Sequence, residues 1–192
     1  MLQSTGGENM RITGGSLRGR TLKSLKGKGT RPTASRVREA IFNIVQARIL
    51  GSRWLDLFAG TGAIGIEALS RGADHCTFVE KSPRVCPVLR ENLRNLELVN
   101  KSKLVCRDAA LACRQLAMEQ QKFDFVYIDP PYEEIGNYKR VLGLAAGCLK
   151  PDGIMAVEHN IDLPPVTETA LVEIQSRRYG DTAVTFFRNE TR

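Results

Sequence analysis

The sequence predicts an α/β fold: a doubly wound, mostly parallel sheet of seven strands that ends in an antiparallel hairpin. Strand-like and helical runs alternate from Arg53 to Glu158, a rhythm that right-handed crossovers convert into a parallel sheet. The run Phe123-Asp124-Phe125-Val126-Tyr127-Ile128 is apolar and aromatic but for one charge, which suits a central strand buried on both faces. Near the end of the chain, two extended runs flank Gly180-Asp181, the pattern of a hairpin. With 192 residues and 42% hydrophobic content, the chain can bury one sizeable core and carry an appendage.

In order along the chain, residues 1–9 are polar and patternless and are expected to form a leader outside the fold, with Met10 as the native start. Residues 10–52 are expected to form a basic extension, and 53–192 the main domain. Arg11 to Leu25 mixes short apolar positions with glycine turns, which predicts a small hairpin carrying Arg18 and Arg20. A basic, glycine-rich loop from Lys26 to Pro32 holds Arg31. It leads to a helix capped at Thr33 or Ser35, with an apolar stripe of Val37, Ile41, Ile44, Val45 and Ile49. In the main domain, strands are expected at Arg53–Phe58, His75–Glu80, Lys103–Asp108, Phe123–Ile128 and Gly153–Glu158. Helices should run from the Gly60 turn to about Arg71, from Pro83 to Leu96, from Asp108 to about Gln120 and from Tyr138 to Leu149. Ala170–Tyr179 and Thr182–Arg188 make the hairpin.

Charge is unevenly placed. Between Arg11 and Arg53 there are eleven Lys or Arg residues against one acid, Glu39, so the first quarter carries the whole net excess of +7. Phosphate attraction and counterion release make a polyanion the expected partner. Arg36 and Arg38 fall in the first turn of their helix, where the dipole disfavours cations, and an anionic partner explains them better than a solvated face. The five cysteines (Cys76, Cys86, Cys106, Cys113 and Cys148) are odd in number and contain no C-x-x-C pair. Free, mostly buried thiols are therefore expected, without a disulfide framework. Two distant histidines make a metal site unexpected. No apolar run approaches the roughly 20 residues of a membrane span, and nothing resembles a signal peptide. A cytoplasmic monomer is expected, or an organellar one if a transit peptide has been removed.

Gly60, Gly62 and Gly65 match G-x-G-x-x-G, and Glu80 follows about twenty residues later, as at a nucleotide-binding turn. NAD and S-adenosylmethionine both present an adenosine whose ribose suits Glu80. Asp56 separates them. A carboxylate just before the glycines would repel a pyrophosphate but attract the ammonium and sulfonium groups of S-adenosyl-L-methionine. Asp108, ending the third strand, is placed to accept from the adenine amine. Phe58, Thr61, Lys81 and Ala109 adjoin these positions and complete the candidate cofactor site.

The central strand stops at Asp129-Pro130-Pro131-Tyr132. Two prolines offer no N–H to a ladder and hold the segment extended, at the sheet end where α/β proteins bind ligands. An exocyclic amine is hard to methylate because its lone pair is delocalised into the ring. The Asp129 side chain and the Pro130 carbonyl can each accept one of its N–H groups, turning the lone pair toward a methyl donor. Tyr132 offers a flat face for stacking a base.

These motifs together resemble class I, Rossmann-like methyltransferases that act on amino groups. More narrowly, Arg11-Ile12-Thr13-Gly14-Gly15, Arg18-Gly19-Arg20, Arg31-Pro32-Thr33, Leu55-Asp56-Leu57-Phe58-Ala59-Gly60-Thr61-Gly62 and Tyr179-Gly180-Asp181-Thr182 are similar to the RsmD family, from about Met10 to the end. That resemblance implies S-adenosylmethionine-dependent methylation of a guanine N2 amine in 16S ribosomal RNA, as naked RNA or as a small-subunit particle. It implies cofactor roles for Asp56, Gly60, Gly62, Glu80 and Asp108, and catalytic roles for Asp129, Pro130 and Tyr132. The basic segment, with Arg18, Arg20, Arg31, Arg36 and Arg38, would hold the RNA. Rival readings keep the chemistry but change the target to an adenine N6 or a protein amide, or make the fold an inert RNA-binding assembly factor. An NAD-dependent oxidoreductase is disfavoured by Asp56 and by the lack of a catalytic His or Tyr-Lys pattern.

Overall fold

The computed structural model describes residues 10–24, 32–130, 135–162 and 171–190. Their centre is a seven-stranded sheet. Strands β3 (Arg53–Leu57), β4 (His75–Val79), β5 (Ser102–Val105), β6 (Phe123–Ile128) and β7 (Leu149–Asn160) are parallel; β9 (Thr182–Asn189) pairs antiparallel with β7, and β8 (Leu171–Tyr179) pairs antiparallel with β9 at the edge. The order β5-β4-β3-β6-β7-β9-β8 reverses its direction of winding between β3 and β6. This switch point opens a crevice at the carboxyl ends of those two strands.

Helices cover both faces. α4 (Ala109–Met118) and α5 (Ile135–Ala146) pack with Leu55, Leu57, Val126, Ile128, Met155 and Val157 on one side. On the other lie α1 (Pro32–Val45), α2 (Ala63–Ser70) and α3 (Cys86–Asn95), against Trp54, Phe78, Phe125 and Phe186. Trp54 anchors this side, stacked between Phe125 at 4.0 Å and Phe42 of α1 at 5.5 Å between ring centroids. Asp124, the one charge in the central strand, sits at its amino end, where it accepts from the Arg53 N–H at 2.8 Å and from Lys150 Nζ at 2.8 Å.

The expected hairpin forms between β1 (Met10–Arg11) and β2 (Thr21–Leu22). Yet residues 10–52 are not an appendage: Ile12, Leu22, Val37, Ile41, Phe42, Val45 and Ile49 are buried in the same core as the sheet. Gly14 and Gly15 serve packing. Ser70 Oγ donates to the Gly14 carbonyl at 2.6 Å, and the Ser70 carbonyl accepts from Ser16 N at 2.7 Å, so the segment caps the C-terminus of α2. Gly15 has φ +78, and a Cβ there would stand 1.9 Å from the Ser70 carbonyl oxygen.

Boundaries differ from expectation for local reasons. α1 begins at Pro32, so Thr33 and Ser35 lie inside it; a proline is well suited to that first position. α3 begins at Cys86 with Pro87 in its first turn, while Pro83 belongs to the preceding turn. α5 begins at Ile135 and ends before Leu149, which opens β7. β5 stops at Val105, and Asp108 instead caps α4 by accepting from Leu111 N at 3.1 Å. All five cysteines are free, with only Cys106 exposed. Among the described residues, no helix is long and apolar enough to cross a membrane, and no cluster of His, Cys, Asp and Glu could hold a metal.

Candidate active site

Strand register brings the acids to one level. Leu57 pairs with Val79 and Ile128, and Ile128 pairs with Val157. Phe58, Glu80 and Asp129 therefore leave the sheet side by side around the mouth of the crevice, level with Glu158, which is still within β7. The glycine turn rises between them. Gly60 (φ +55) and Gly62 (φ +89) take left-handed backbone that other residues adopt only with strain, and Phe58 (φ +62) is itself in that region. Nothing lies within 4 Å of where a Cβ on Gly60 would be, whereas one on Gly62 would meet Leu89 Cδ1 at 2.4 Å. The turn is thus open at Gly60 and closed at Gly62, against α3.

Two carboxylates brace this turn. Glu80 accepts from Gly60 N at 2.9 Å through one oxygen and from Ser82 N at 2.7 Å through the other. It is half-buried, and each oxygen keeps a second acceptor direction. Asp56 accepts from Gly65 N at 2.9 Å, at the start of α2, and is 1% exposed. It therefore holds the turn from beneath, rather than presenting the open carboxylate expected from the sequence. Burial, reinforced by the nearby Glu80 charge and only partly offset by the Gly65 N–H, pushes its pKa up to about 7. Thr61 and Asp108 are half-buried, Lys81 is exposed and Ala109 is buried.

On the other side of the crevice, Asp129 is exposed and Pro130 half-buried at the end of β6. Pro131 and Tyr132 lie outside the described residues. Beside them is a pair the sequence did not single out. Tyr127 Oη donates to Glu158 Oε2 at 2.6 Å. Burial raises the phenol pKa well above its usual value, and Glu158, Asp129 and Asp56 push it in the same direction. Burial also raises the Glu158 carboxyl. Alternation along β6 and β7, which puts Tyr127 and Glu158 on one face, is the local signal for this pair. His159 is engaged within the sheet, Nε2 with Thr185 Oγ1 at 2.9 Å and Nδ1 with the Asn160 carbonyl at 2.8 Å, which makes it a structural strand-end residue. The crevice mouth thus collects carboxyl groups from four strands, an arrangement that suits a cationic ligand.

The candidate RNA contacts divide. Arg18, Arg20 and Arg36 are exposed, although Arg20 also donates to the Asn95 carbonyl at 3.1 Å. Arg31 lies outside the described residues. Arg38 corrects the expectation. It is 4% exposed, with Nε 2.9 Å from Glu67 Oε2 in an ion pair without an aligned hydrogen bond, and Nη2 donating to the Arg11 carbonyl at 2.8 Å. Glu67, fully buried on α2, also takes Arg71 Nη2 at 2.7 Å and Thr13 N at 3.2 Å. A buried acid one helical turn from the N-terminus of α2 is the reason for a cation in the first turns of α1.

A family model described as "Conserved hypothetical protein 95" matches residues 10–188. The chain is 33% identical over 181 residues to the "Ribosomal RNA small subunit methyltransferase D" of Haemophilus influenzae, covering 94% of each. This chain belongs to the RsmD family. It is also 38% identical over 182 residues to the "Putative rRNA methyltransferase YlbH" of Bacillus subtilis, covering 93% of this chain and 98% of that protein. The solved structure of yhhF from Escherichia coli shares the fold with a TM-score of 0.85 at 28% identity, covering 96% of this chain and 99% of that one. This RsmD-family chain thus matches its relatives along nearly its whole length, including the segment before β3.

Proposed function

We propose that this RsmD-family protein methylates the exocyclic N2 amine of a guanine in small-subunit ribosomal RNA, with S-adenosyl-L-methionine as donor. The observation that carries this reading is the crevice itself: an open glycine turn braced by Glu80 faces the Asp129-Pro130 strand end across the switch point. The residues fit the cofactor. Gly60 leaves room for a ligand against its backbone, the half-buried Glu80 can still accept from two ribose hydroxyls, and Asp108 keeps an oxygen beyond its capping bond. Asp56 supplies charge from beneath the turn. When bound, the cofactor supplies a methyl group on a sulfonium whose thioether leaves with the C–S electron pair.

The protein's own contribution is positioning. Asp129 and the Pro130 carbonyl accept the two N–H groups of the amine, so that its lone pair points into the crevice. As nitrogen gains the methyl group, one N–H becomes acidic and its proton passes to Asp129 or to water. Tyr132 stacks on the base plane. The relatives named ribosomal RNA small subunit methyltransferase D support ribosomal RNA as the acceptor, and the exposed Arg18, Arg20 and Arg36 supply phosphate contacts.

Incubation with labelled S-adenosylmethionine and small subunits lacking the modification, followed by nucleoside analysis, tests this. Label in N2-methylguanosine is expected; label in N6-methyladenosine or in protein refutes the assignment. Asp129→Ala should abolish transfer while leaving cofactor affinity nearly unchanged, and a large loss of cofactor binding would show that its role is different.

A further inference from the structure

The buried side chain of Asn92, on α3, joins two parts of the molecule that the proposed reaction uses separately. It is 2% exposed. Its Nδ2 donates to the Thr61 carbonyl in the glycine turn at 3.0 Å and to the Lys23 carbonyl at 3.1 Å, and its Oδ1 accepts from the Lys23 N–H at 2.9 Å. Lys23 is the residue just beyond β2, three positions before the basic run that starts at Lys26. One amide thus clamps the base of the basic segment and the cofactor turn together.

The geometry makes this a coupling rather than two independent contacts. A primary amide has two N–H donors, and both are committed, one to each partner. Its donors and acceptor lie in one rigid plane, so a rotation that follows Lys23 withdraws a donor from Thr61. The Thr61 carbonyl matters because it belongs to the Thr61–Gly62 peptide, whose N–H donates to the Ala59 carbonyl at 2.8 Å. In a trans peptide the two groups point in opposite directions, so Asn92 and Ala59 together fix its orientation. The left-handed Gly62 is pressed against Leu89 of the same helix, so the turn cannot shift without α3. α3 also holds the basic segment through its exposed side, with Glu91 paired to Lys23 Nζ and the Asn95 carbonyl accepting from Arg20.

We propose that Asn92 is a positioning residue that makes cofactor binding and RNA binding cooperative. This rests on the reading of the crevice as a cofactor site and of the basic segment as an RNA contact. A ligand seated on the turn further restrains the Thr61 peptide and with it the Asn92 amide and the Lys23 backbone, which follows the hairpin that carries Arg18 and Arg20. By linkage, RNA held on that hairpin tightens the cofactor by the same factor.

The test measures four affinities: S-adenosylhomocysteine by calorimetry with and without a small-subunit RNA fragment, and the RNA with and without S-adenosylhomocysteine. In the wild type, each ligand should tighten the other by about fivefold or more. Asn92→Leu, similar in volume but without the three bonds, should bring that factor to about one. Lys23→Pro, which deletes the N–H bonded to Oδ1 together with the Glu91 ion pair, should reduce the factor while leaving the Asn92 side chain in place. Lys23→Ala, which removes only the exposed ion pair with Glu91, should retain it. Thermal melting identifies a variant that fails to fold, and the Lys23 pair then decides. If the wild type binds both ligands independently, or if Lys23→Pro and a folded Asn92→Leu keep the full factor, the inference is overturned. If the wild type fails to bind one of the ligands at all, it is the functional reading that falls.

Discussion

Replacing Asp56 with asparagine tests the electrostatics of the cofactor turn in the ligand-free protein. Asn keeps an oxygen for the Gly65 N–H but removes the charge. In the fold the Asp56 carboxyl titrates at about 7, against 3.8 for an ordinary aspartate, because burial disfavours the anion. Between those values the native state retains a proton that the unfolded chain has released. Stability that is fully present below about pH 4 is therefore lost as pH rises through 7. The full displacement corresponds to roughly 4 kcal/mol. Urea unfolding of both proteins from about pH 5 to about pH 8 should show Asp56→Asn gaining on the wild type as pH rises, by roughly 3 kcal/mol, the part of that displacement that lies above pH 5. Glu158, whose carboxyl is also raised by burial, contributes with the same sign in both proteins and cancels in the difference. A difference that stays flat across the range would refute the argument. The same variant should bind S-adenosylmethionine more weakly. In the wild type near neutral pH, binding of the cation should release a proton, visible as a buffer-dependent calorimetric enthalpy.

Arg38→Met should destabilise the fold by about 3 kcal/mol, because it strips a buried carboxylate of one partner, while leaving the salt dependence of RNA binding unchanged; both are read from denaturation and binding titrations. Neutralising Arg18, Arg20 and Arg36 should do the reverse, flattening the salt dependence with little loss of stability. Gly60→Ala should cost about 1 kcal/mol of stability, the strain of a left-handed backbone, and still impair cofactor binding by calorimetry, because its Cβ takes up the open space beside the turn. Trp54→Ala should cost about 3–5 kcal/mol in denaturant unfolding, since its ring joins α1 to the sheet.

The family relationship and the parallel sheet were legible because their signals are local. The apolar run of β6, the glycines after β3 and the acids at strand ends are each set by a handful of neighbouring residues. Parallel pairing then had to bring Glu80, Asp129 and the glycine turn to one edge, whatever the rest of the chain did. Errors at the ends of helices came from competition between equally good local options, as between Pro83 and Pro87 at the start of α3.

The roles of Arg38, Glu158, Asn92 and the Gly14-Gly15 pair were not legible, and the reason is distance along the chain. Arg38 reads as a surface cation until α1 is laid on α2 and Glu67 is found beneath it. The glycines before Ser16 read as a hairpin turn, yet they cap a helix through Ser70, and Lys23 meets Asn92 only once α3 has docked. The sequence by itself determined which residues end β3, β4 and β6 at the crevice, since a strand end and the turn beside it are fixed by adjacent residues. Only the tertiary structure decided which charges face water and which are buried, and so made the basic first quarter partly an exposed basic surface and partly the cover of the core. A charge takes its meaning from what packs against it, and those partners here lie tens of residues away.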